Sequence, residues 1–270
     1  MKKTSNSYAI ILSSTFGEEE DLILSYLRHV SEICSVVRAN YSIVPVLVFE
    51  KVEDEKRIYI TKKLVAEKFY VSPILLTNKS GKGFSSCLNY GIKKTKSKYI
   101  FRLDTDDKTT PQRLIAQIEI MDSQKLDMTC GYMKDHNNKL LKYPSTRKGI
   151  AIMAALGTNP IAHPTVCISR ESLYFLYDES LSRCEDFDLW LRFFLSSSFN
   201  IKVLKNPITK YSVSRSFLKD KDNALNQIKI RLKYIKRIFI ILLVLLLGLI
   251  PNLIRLISYK NIFLSLRRKI

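Results

Sequence analysis

The stretch that decides the fold is Tyr99-Ile100-Phe101-Arg102-Leu103, followed at once by Asp104-Thr105-Asp106-Asp107. A short, continuous apolar run is typical of a strand that is buried on both faces of a sheet. The next residues, Thr109-Thr110-Pro111, predict a helix that begins with a threonine cap and a proline in its first turn. The sequence therefore predicts a buried strand that holds three carboxylates on a short turn at the edge of a sheet.

Upstream of this stretch, apolar runs alternate with segments of helical spacing. Strands are predicted at residues 8–12, 43–49 and 74–76, and helices at residues 18–30, 53–68 and 84–94. This alternation predicts an α/β fold with a parallel sheet whose ligand lies at the carboxyl ends of the strands. Downstream the pattern weakens: we expect turns over residues 130–150, a loop over 157–166 and a helix over 185–195.

The charge of the chain is concentrated at its C-terminal end. The formal net charge is +19, and residues 221–270 hold eleven Lys and Arg against one acid, Asp222. A basic segment beside a nearly ordinary body indicates that one part of the chain meets an anionic surface. The five cysteines form no C-x-x-C pair, which argues against structural zinc and a disulfide framework and favours a reducing cytosol.

The three acids after the fourth strand favour a bound cation. At a few Å in a partly dry cleft they repel one another by on the order of several kcal/mol. Oxygen ligands in small number point to Mg²⁺ or Mn²⁺, with diphosphate oxygens in the remaining positions. The alternative is a solvated acidic turn, which the position after a buried strand disfavours.

Two later motifs carry further polar residues. Cys184-Glu185-Asp186-Phe187-Asp188-Leu189-Trp190-Leu191-Arg192 opens a predicted helix, where acids favour the positive end of the dipole and where Asp188 and Arg192 could pair on the surface. In Asn159-Pro160-Ile161-Ala162-His163-Pro164-Thr165, the histidine lies between two prolines, Pro160 and Pro164, whose rings restrict the backbone. Taken alone, helix capping and ordinary hydrogen bonding explain both.

Two nucleotide motifs are missing. The loop Asn78-Lys79-Ser80-Gly81-Lys82-Gly83 lacks the spacing of a P-loop, and no G-x-G-x-x-G follows the first strand. These absences argue against a P-loop nucleotide hydrolase and a nicotinamide-dependent enzyme.

Taken together, the motifs resemble a bacterial family 2 glycosyltransferase of the GT-A fold, a class found in surface polysaccharide biosynthesis. The resemblance spans roughly residues 8–213 and includes Leu88-Asn89-Tyr90-Gly91 and Pro111-Gln112-Arg113 besides the motifs above. It implies a Rossmann-like, mostly parallel sheet flanked by helices in residues 1–215, with a nucleotide-sugar half at 1–107 and an acceptor half at 108–215. A helical membrane-associating tail would follow at 216–270.

The resemblance also implies roles for individual residues. Asp186 matches the catalytic base, and Glu185 beside it is expected to contact the acceptor, as is His163. Asp106 is expected to bind the metal, with Asp107 as an additional acid. The residues expected to bind the donor are Thr15, Glu50, Asn89, Arg102, Asp104 and Asp106. Glu50-Lys51 departs from the usual Asp-Gly after the second strand, which leaves base recognition open.

These roles predict an inverting, Mn²⁺- or Mg²⁺-dependent hexosyltransferase. The donor would be UDP-glucose or UDP-galactose, and the acceptor a sugar linked to polyprenyl diphosphate. The metal would offset leaving-group charge while Asp186 takes the acceptor proton.

The C-terminal segment predicts a membrane contact. Residues 238–250 carry no charge, are short of the ~20 apolar residues that span a bilayer, and have cations on both sides. We therefore expect an in-plane or re-entrant anchor at the cytoplasmic face of the inner membrane, peripheral or monotopic, with a buried helix or a single span as alternatives.

Two other functions remain open from the sequence. A sugar nucleotidyltransferase also uses paired carboxylates and a metal, although residues 13–17 lack its glycine-rich basic loop. A non-catalytic membrane- or nucleic-acid-binding protein would explain the charge, but the cations flank an apolar run, so a nucleic-acid partner is not expected.

Overall fold

The computed structural model describes residues 7–15, 17–67, 69–79, 83–156, 159–195, 199–210, 221–236, 239 and 243. It divides the chain into two compact units, residues 1–226 and 227–270. The domain boundary that the sequence placed at residue 215 stays a prediction.

The first half of the larger unit is a parallel sheet. Its strands are β1 (Ser7–Ser14), β2 (Ile43–Glu50), β3 (Ile74–Asn78) and β4 (Ser97–Arg102), in the order β3-β2-β1-β4. All three pairings are parallel, so the carboxyl ends of these strands form one edge. The four strands predicted from their apolar runs are confirmed.

Helices cover both faces of this sheet. They are α1 (Glu20–Val37), α2 (Asp54–Ala66) and α3 (Gly83–Lys94). One core cluster joins α1 to Phe49 and Phe101, and the other joins α3 to Ile10 and Leu12. Helix α3 lies so close to the sheet that a Cβ at Gly91 would stand 2.5 Å from Leu12 Cδ1.

The second half extends the sheet as a mixed one. Its elements are β5 (Lys108–Thr109), α4 (Pro111–Gln124), β6 (Met128–Lys134), β7 (Leu140–Leu141), α5 (Arg147–Leu156), β8 (Cys167–Ser169), α6 (Glu185–Leu195) and β9 (Ile201–Lys210). Strand β8 pairs antiparallel with β4, and the order continues β8-β6-β9-β5. The α/β class is confirmed.

The prediction of turns over residues 130–150 was wrong at both ends, although residues 135–146 are mostly irregular, as predicted. Strand β6 is a central, largely buried strand, and α5 begins at Arg147. Thr129 and Gly131 interrupt the apolar pattern of β6, yet both are buried: Thr129 accepts a hydrogen bond from Gln117 of α4 at 3.0 Å, and the Gly131 N–H donates to Thr165 at 3.2 Å. Sequence periodicity does not detect a strand whose burial comes from its neighbours.

Helix α4 carries a buried arginine that joins the two halves. Thr110 caps the helix by accepting a hydrogen bond from the Arg113 N–H. The Arg113 guanidinium is 2% exposed and donates to the Arg102 carbonyl at 3.0 Å, to Thr209 at 2.9 Å and to Gln117 at 2.9 Å. Arg113 therefore ties the end of β4 to β9, and burial lowers its pKa to about 10.

A seventh helix, α7 (Lys221–Lys233), follows the described part of β9. Among the described residues, no helix is both long and apolar enough to span a bilayer. The uncharged run 238–250 that predicted a membrane anchor falls outside the described residues, apart from Phe239 and Leu243.

Candidate active site

The parallel strands bring several predicted site residues to one edge of the sheet. The register pairs Leu12 with Arg102, and Glu50 with Asn78. The loops that leave β1, β2 and β4 therefore start side by side. This edge is where α/β sheets bind ligands.

The loop after β1 is held by Glu53, which the sequence did not single out. The Thr15 hydroxyl donates a hydrogen bond to Glu53 Oε2, and the Gly17 N–H donates to Oε1 at 3.2 Å. Glu53 is 9% exposed and also lies 3.5 Å from Lys56 Nζ. Its role depends on a partner 38 residues away in the chain, so no local motif marks it.

Glu50 lies at the end of β2, as predicted, and its side chain has protein partners. It accepts hydrogen bonds from the Gly83 N–H and from the Glu53 backbone N–H, forming a capping box with Glu53. Thr15 and Glu50 therefore meet at the same edge through Glu53. Their contacts with a donor base stay predictions.

Arg102 fixes the first of the three acids. It is 3% exposed, forms a salt bridge with Asp104, and places its guanidinium carbon 5.0 Å from the centre of the Phe84 ring. Its Nη1 also donates to the Leu12 carbonyl at 3.3 Å. This buried cation at the end of β4 therefore orients Asp104 toward the edge.

Asp106 lies among other acids. Burial raises its pKa, and the neighbouring charges of Asp104 and Glu18 raise it further. Glu18 is an acid that the sequence assigned only to a helix start; it accepts a hydrogen bond from Thr105 at 2.8 Å. Acids that disfavour one another's ionisation fit a divalent cation, which would relieve the repulsion.

The described residues hold no group of three or more His, Cys, Asp or Glu side chains arranged as a complete protein metal site. A divalent cation bound by one or two carboxylates commonly completes its coordination with water and substrate phosphate oxygens. The Asp107 side chain is fully buried, and its charge raises the pKa of Arg113 against the effect of burial. The metal contacts of Asp106 and Asp107 stay predictions.

Asp186 is held rigidly in the first turn of α6. The Asn159 side-chain amide donates to its Oδ2 at 2.5 Å, and the Phe187 N–H donates to its Oδ1 at 2.7 Å. Burial raises its pKa, these two hydrogen bonds oppose that rise, and the charge of Asp104 adds to it. Asn159 belongs to a motif that the sequence singled out, but its pairing with Asp186 was not foreseen.

Glu185 shares this environment. Burial raises its pKa, and so do the charges of Asp186 and Asp104, whereas Arg102 lowers it. Contacts link the two sets of acids: the guanidinium carbon of Arg102, the partner of Asp104, lies 5.0 Å from the centre of the Phe84 ring. The Phe84 ring centre is 6.2 Å from that of His163, which in turn is 6.0 Å from that of Trp190 on α6. The structure thus brings together the two sets of carboxylates that the sequence predicted separately.

The chain enters α6 through a residue of unusual conformation. Cys184 has φ of +61°, which is uncommon for a residue with a side chain, and its carbonyl accepts from the Asp188 N–H at 3.0 Å. The expected surface pair of Asp188 and Arg192 is instead partly internal: the bond is 2.7 Å and Asp188 is fully buried. Asp188 is buried because α6 packs most of its apolar residues into the core. Trp190 is a core residue, as predicted.

His163 and Asn89 lie beside the cleft and contact the same loop. His163 Nε2 is 2.8 Å from the Tyr177 hydroxyl, while the Asn89 side chain bonds the backbone of Tyr177 and the carboxylate of Glu179. Burial and the charge of Arg102 hold the pKa of His163 well below its usual value, so the ring is neutral. Acceptor contact by His163 and donor contact by Asn89 stay predictions.

The α/β fold, with its mostly parallel sheet flanked by helices, is consistent with the GT-A type. Residues 58–184 match the family described as Glycosyl transferase family 2, so the predicted resemblance to that family is confirmed.

Named relatives agree with this assignment. The O-antigen biosynthesis glycosyltransferase WbnJ of Escherichia coli is 34% identical over 118 residues, which are 40% of this chain and 44% of that protein. An uncharacterized glycosyltransferase of Methanocaldococcus jannaschii, MJ1057, is 28% identical over 163 residues, which are 58% of this chain and 54% of that protein. The chain thus spans about half the length of these relatives.

Solved structures share the fold. Residues 1–349 of S. aureus TarS in complex with UDP-GlcNAc match with a TM-score of 0.55 and 17% identity, over 77% of this chain and 59% of that one. The mannosyltransferase PcManGT from Pyrobaculum calidifontis, in complex with GDP-Man and Mn²⁺, matches with a TM-score of 0.54 and 10% identity, over 79% of this chain and 59% of that one. At these identities the likeness concerns the fold.

Proposed function

We propose that the protein transfers a hexose, glucose or galactose, from a UDP-sugar to a hydroxyl of a saccharide acceptor, with inversion at the anomeric carbon. The observation that carries the proposal is the series of contacts that joins the Arg102–Asp104 pair, through Phe84 and His163, to Trp190 on α6, the helix that carries Glu185 and Asp186. One set of acids would hold a donor's diphosphate, and the other would meet an attacking hydroxyl. Solved relatives of the same fold that hold UDP-GlcNAc and GDP-Man support the nucleotide-sugar class of the donor.

The donor side consists of Arg102, Asp104 and Asp106. Arg102 orients Asp104 through their salt bridge, and Asp106 stands next along the turn. A divalent cation, Mn²⁺ or Mg²⁺, bound by Asp106 with Asp107 nearby, would stabilise the charge that develops on the leaving diphosphate. The Mn²⁺ complex of PcManGT supports this dependence by analogy of fold.

Asp186 would act as the base. Asn159 and the Phe187 N–H fix its two oxygens, which leaves each oxygen a lone pair for the acceptor hydroxyl. A pKa raised by burial brings the carboxylate closer to the operating pH, where a general base is most effective. Attack on the face opposite the leaving diphosphate would invert the anomeric centre.

The acceptor is proposed to be a sugar linked to polyprenyl diphosphate, with the protein at the cytoplasmic face of the cell membrane. A relative named for O-antigen biosynthesis supports the pathway class. Exposed apolar side chains recur every three or four residues from helix α7 onward, at Ile228, Leu232, Ile235, Phe239 and Leu243. On a helix they would form one stripe, beside the exposed Lys229, Lys233 and Lys236. Such a basic amphipathic face suits an anionic lipid surface.

A thermal-shift panel tests the donor assignment. UDP-glucose, UDP-galactose, UDP-GlcNAc, GDP-mannose and the free nucleotides are compared with and without Mn²⁺. A UDP-hexose present at 100 times its Kd stabilises the folded protein by about 2.7 kcal/mol. A metal-dependent rise in Tm with a UDP-hexose supports the proposal, and a rise with GDP-mannose alone would overturn the choice of nucleotide.

A further inference from the structure

Tyr177 contacts both His163 and Asn89, although no motif marked it. It belongs to the irregular segment between the 3-10 turn Arg170–Ser172 and helix α6. Its ring centre is 5.6 Å from that of His163. The residue is half-buried, so part of its surface is accessible.

The backbone of Tyr177 is clamped by one side chain. The Tyr177 N–H donates to Asn89 Oδ1 at 3.0 Å, and Asn89 Nδ2 donates to the Tyr177 carbonyl at 2.9 Å. The same nitrogen reaches Glu179 Oε1 at 2.8 Å, and Asn89 is 2% exposed. Asn89 thereby uses its carbonyl and both amide hydrogens to fix an otherwise irregular segment.

The phenol is fixed at its other end. The hydroxyl shares a hydrogen bond of 2.8 Å with His163 Nε2, and His163 is itself packed between the rings of Phe84 and Trp190. A neutral imidazole nitrogen either accepts or donates one hydrogen bond, whereas a phenol hydroxyl can do both. The Tyr177 hydroxyl therefore keeps hydrogen-bonding capacity for a further partner.

The surroundings of this hydroxyl indicate the partner. Burial raises the pKa of the hydroxyl, so the group stays protonated at neutral pH. His163, its hydrogen-bond partner, packs on one side against Phe84, whose ring centre is 5.0 Å from the guanidinium carbon of Arg102, the partner of Asp104. On the other side His163 packs against Trp190 of α6, the helix that carries Glu185 and Asp186. The hydroxyl thus stands between the acids assigned to the donor diphosphate and those assigned to the base. In a glycosyl transfer, that space holds the sugar being transferred.

We propose that Tyr177 contacts the transferred sugar: its hydroxyl, positioned by Asn89 and His163, hydrogen-bonds a hydroxyl of the donor's hexose ring. The inference rests on the proposed function, since it needs a sugar nucleotide in this cleft. It assigns Asn89 and His163 the role of positioning residues for Tyr177.

The test compares the affinities of UDP-glucose and UDP, each with Mn²⁺, by calorimetry on the full chain. Tyr177→Phe removes only the hydroxyl. We expect this variant to lower the affinity for UDP-glucose about tenfold, the usual effect of one lost hydrogen bond, and to leave the affinity for UDP unchanged. Tyr174→Phe is the matched control, because Tyr174 lies in the same segment with 71% of its surface exposed; it should change neither affinity.

A second variant tests the clamp. Asn89→Ser keeps the Tyr177 phenol but removes the hydrogen bonds that hold the Tyr177 backbone. It should therefore also lower the affinity for UDP-glucose while leaving the affinity for UDP unchanged. Equal losses for UDP and UDP-glucose in Tyr177→Phe, or no loss of UDP-glucose affinity, would overturn the inference. If the wild-type protein binds neither UDP nor UDP-glucose, the proposed function itself fails, which is a separate outcome.

Discussion

The side-chain amide of Asn159 donates a hydrogen bond of 2.5 Å to Asp186 Oδ2. The two residues are 27 positions apart in the chain, and the bond favours the ionised form of a carboxylate whose pKa burial raises. Asn159 therefore helps to keep the proposed base deprotonated and fixes its direction.

Replacing Asn159 should change the pH dependence of transfer. In Asn159→Ala the carboxylate loses a donor, so the pKa of Asp186 rises further and the base becomes active only at higher pH. We expect the acid limb of the kcat/KM profile to move up by about one pH unit. Asn159→Gln, which keeps an amide donor, serves as the comparison, and an unmoved acid limb in Asn159→Ala would argue against Asp186 as the base.

The acids of α6 should reduce stability at neutral pH. The folded-state pKa of Glu185 is raised, so its charged form is disfavoured in the folded protein. The penalty is absent below the unfolded pKa near 4.3 and grows as pH rises toward the folded value. Glu185→Gln should therefore raise Tm by about 2–4 °C at pH 8 and leave it unchanged at pH 4, if the protein remains folded there.

The exposed acid Glu119 on α4 provides the control for this measurement. Glu119→Gln should leave Tm nearly the same at both pH values. A Glu185→Gln variant less stable than wild type at pH 8 would show that the carboxylate is stabilised, not penalised, in the folded state.

Arg113 should be required for stability. Arg113→Met leaves the Arg102 carbonyl, Thr209 and Gln117 without a buried donor, and we expect a loss of about 2–4 kcal/mol in urea unfolding. Arg28→Met is the contrast, because Arg28 forms a 2.8 Å pair with Glu67 while half exposed. An exposed pair contributes less than about 1 kcal/mol, so similar losses in the two variants would contradict the assigned role of Arg113.

The apolar stripe that starts on α7 should govern binding to lipid. Leu232 is 58% exposed, and Leu232→Glu would set a charge between the stripe and anionic lipid. In flotation with phosphatidylglycerol-containing vesicles, this variant of the full chain should bind at least about tenfold more weakly. Val65, which is 85% exposed on α2, gives the control Val65→Glu. Equal binding to the vesicles by both variants would show that the apolar stripe does not contribute to membrane binding.

The sequence was sufficient to predict those helices and strands whose burial is visible in their own pattern of apolar residues. The strands β1 to β4 are continuous apolar runs, and α6 begins at Glu185 and ends at Leu195 as predicted from its acids and apolar spacing. Strand β6 was not predicted because its polar positions, Thr129 and Gly131, are buried through contacts with Gln117 and Thr165, which lie elsewhere in the sequence.

The same reason limits the prediction of the site. Residue type and position after a strand singled out Asp104 and Asp106, whereas Asp186 was singled out by the family resemblance; their roles stay predictions. Glu53 and Tyr177 act through contacts that only the folded chain creates, with Thr15 at the end of β1 and with Asn89 on α3. Asn89 was expected at the donor, but the structure shows its amide bonded to the protein backbone.

The most direct test of the proposed mechanism compares binding and turnover in Asp186→Asn. With Mn²⁺ and a UDP-hexose, binding is followed by calorimetry, and hexose transfer to a lipid-linked saccharide is followed with a radiolabelled donor. We expect a donor Kd close to that of wild type and a transfer rate lower by about 10² to 10⁴, the usual contribution of a general base. Asp106→Ala should instead lose metal-dependent donor binding. Near-normal transfer by Asp186→Asn would contradict the assignment of Asp186 as the base that faces the donor across the shared cleft.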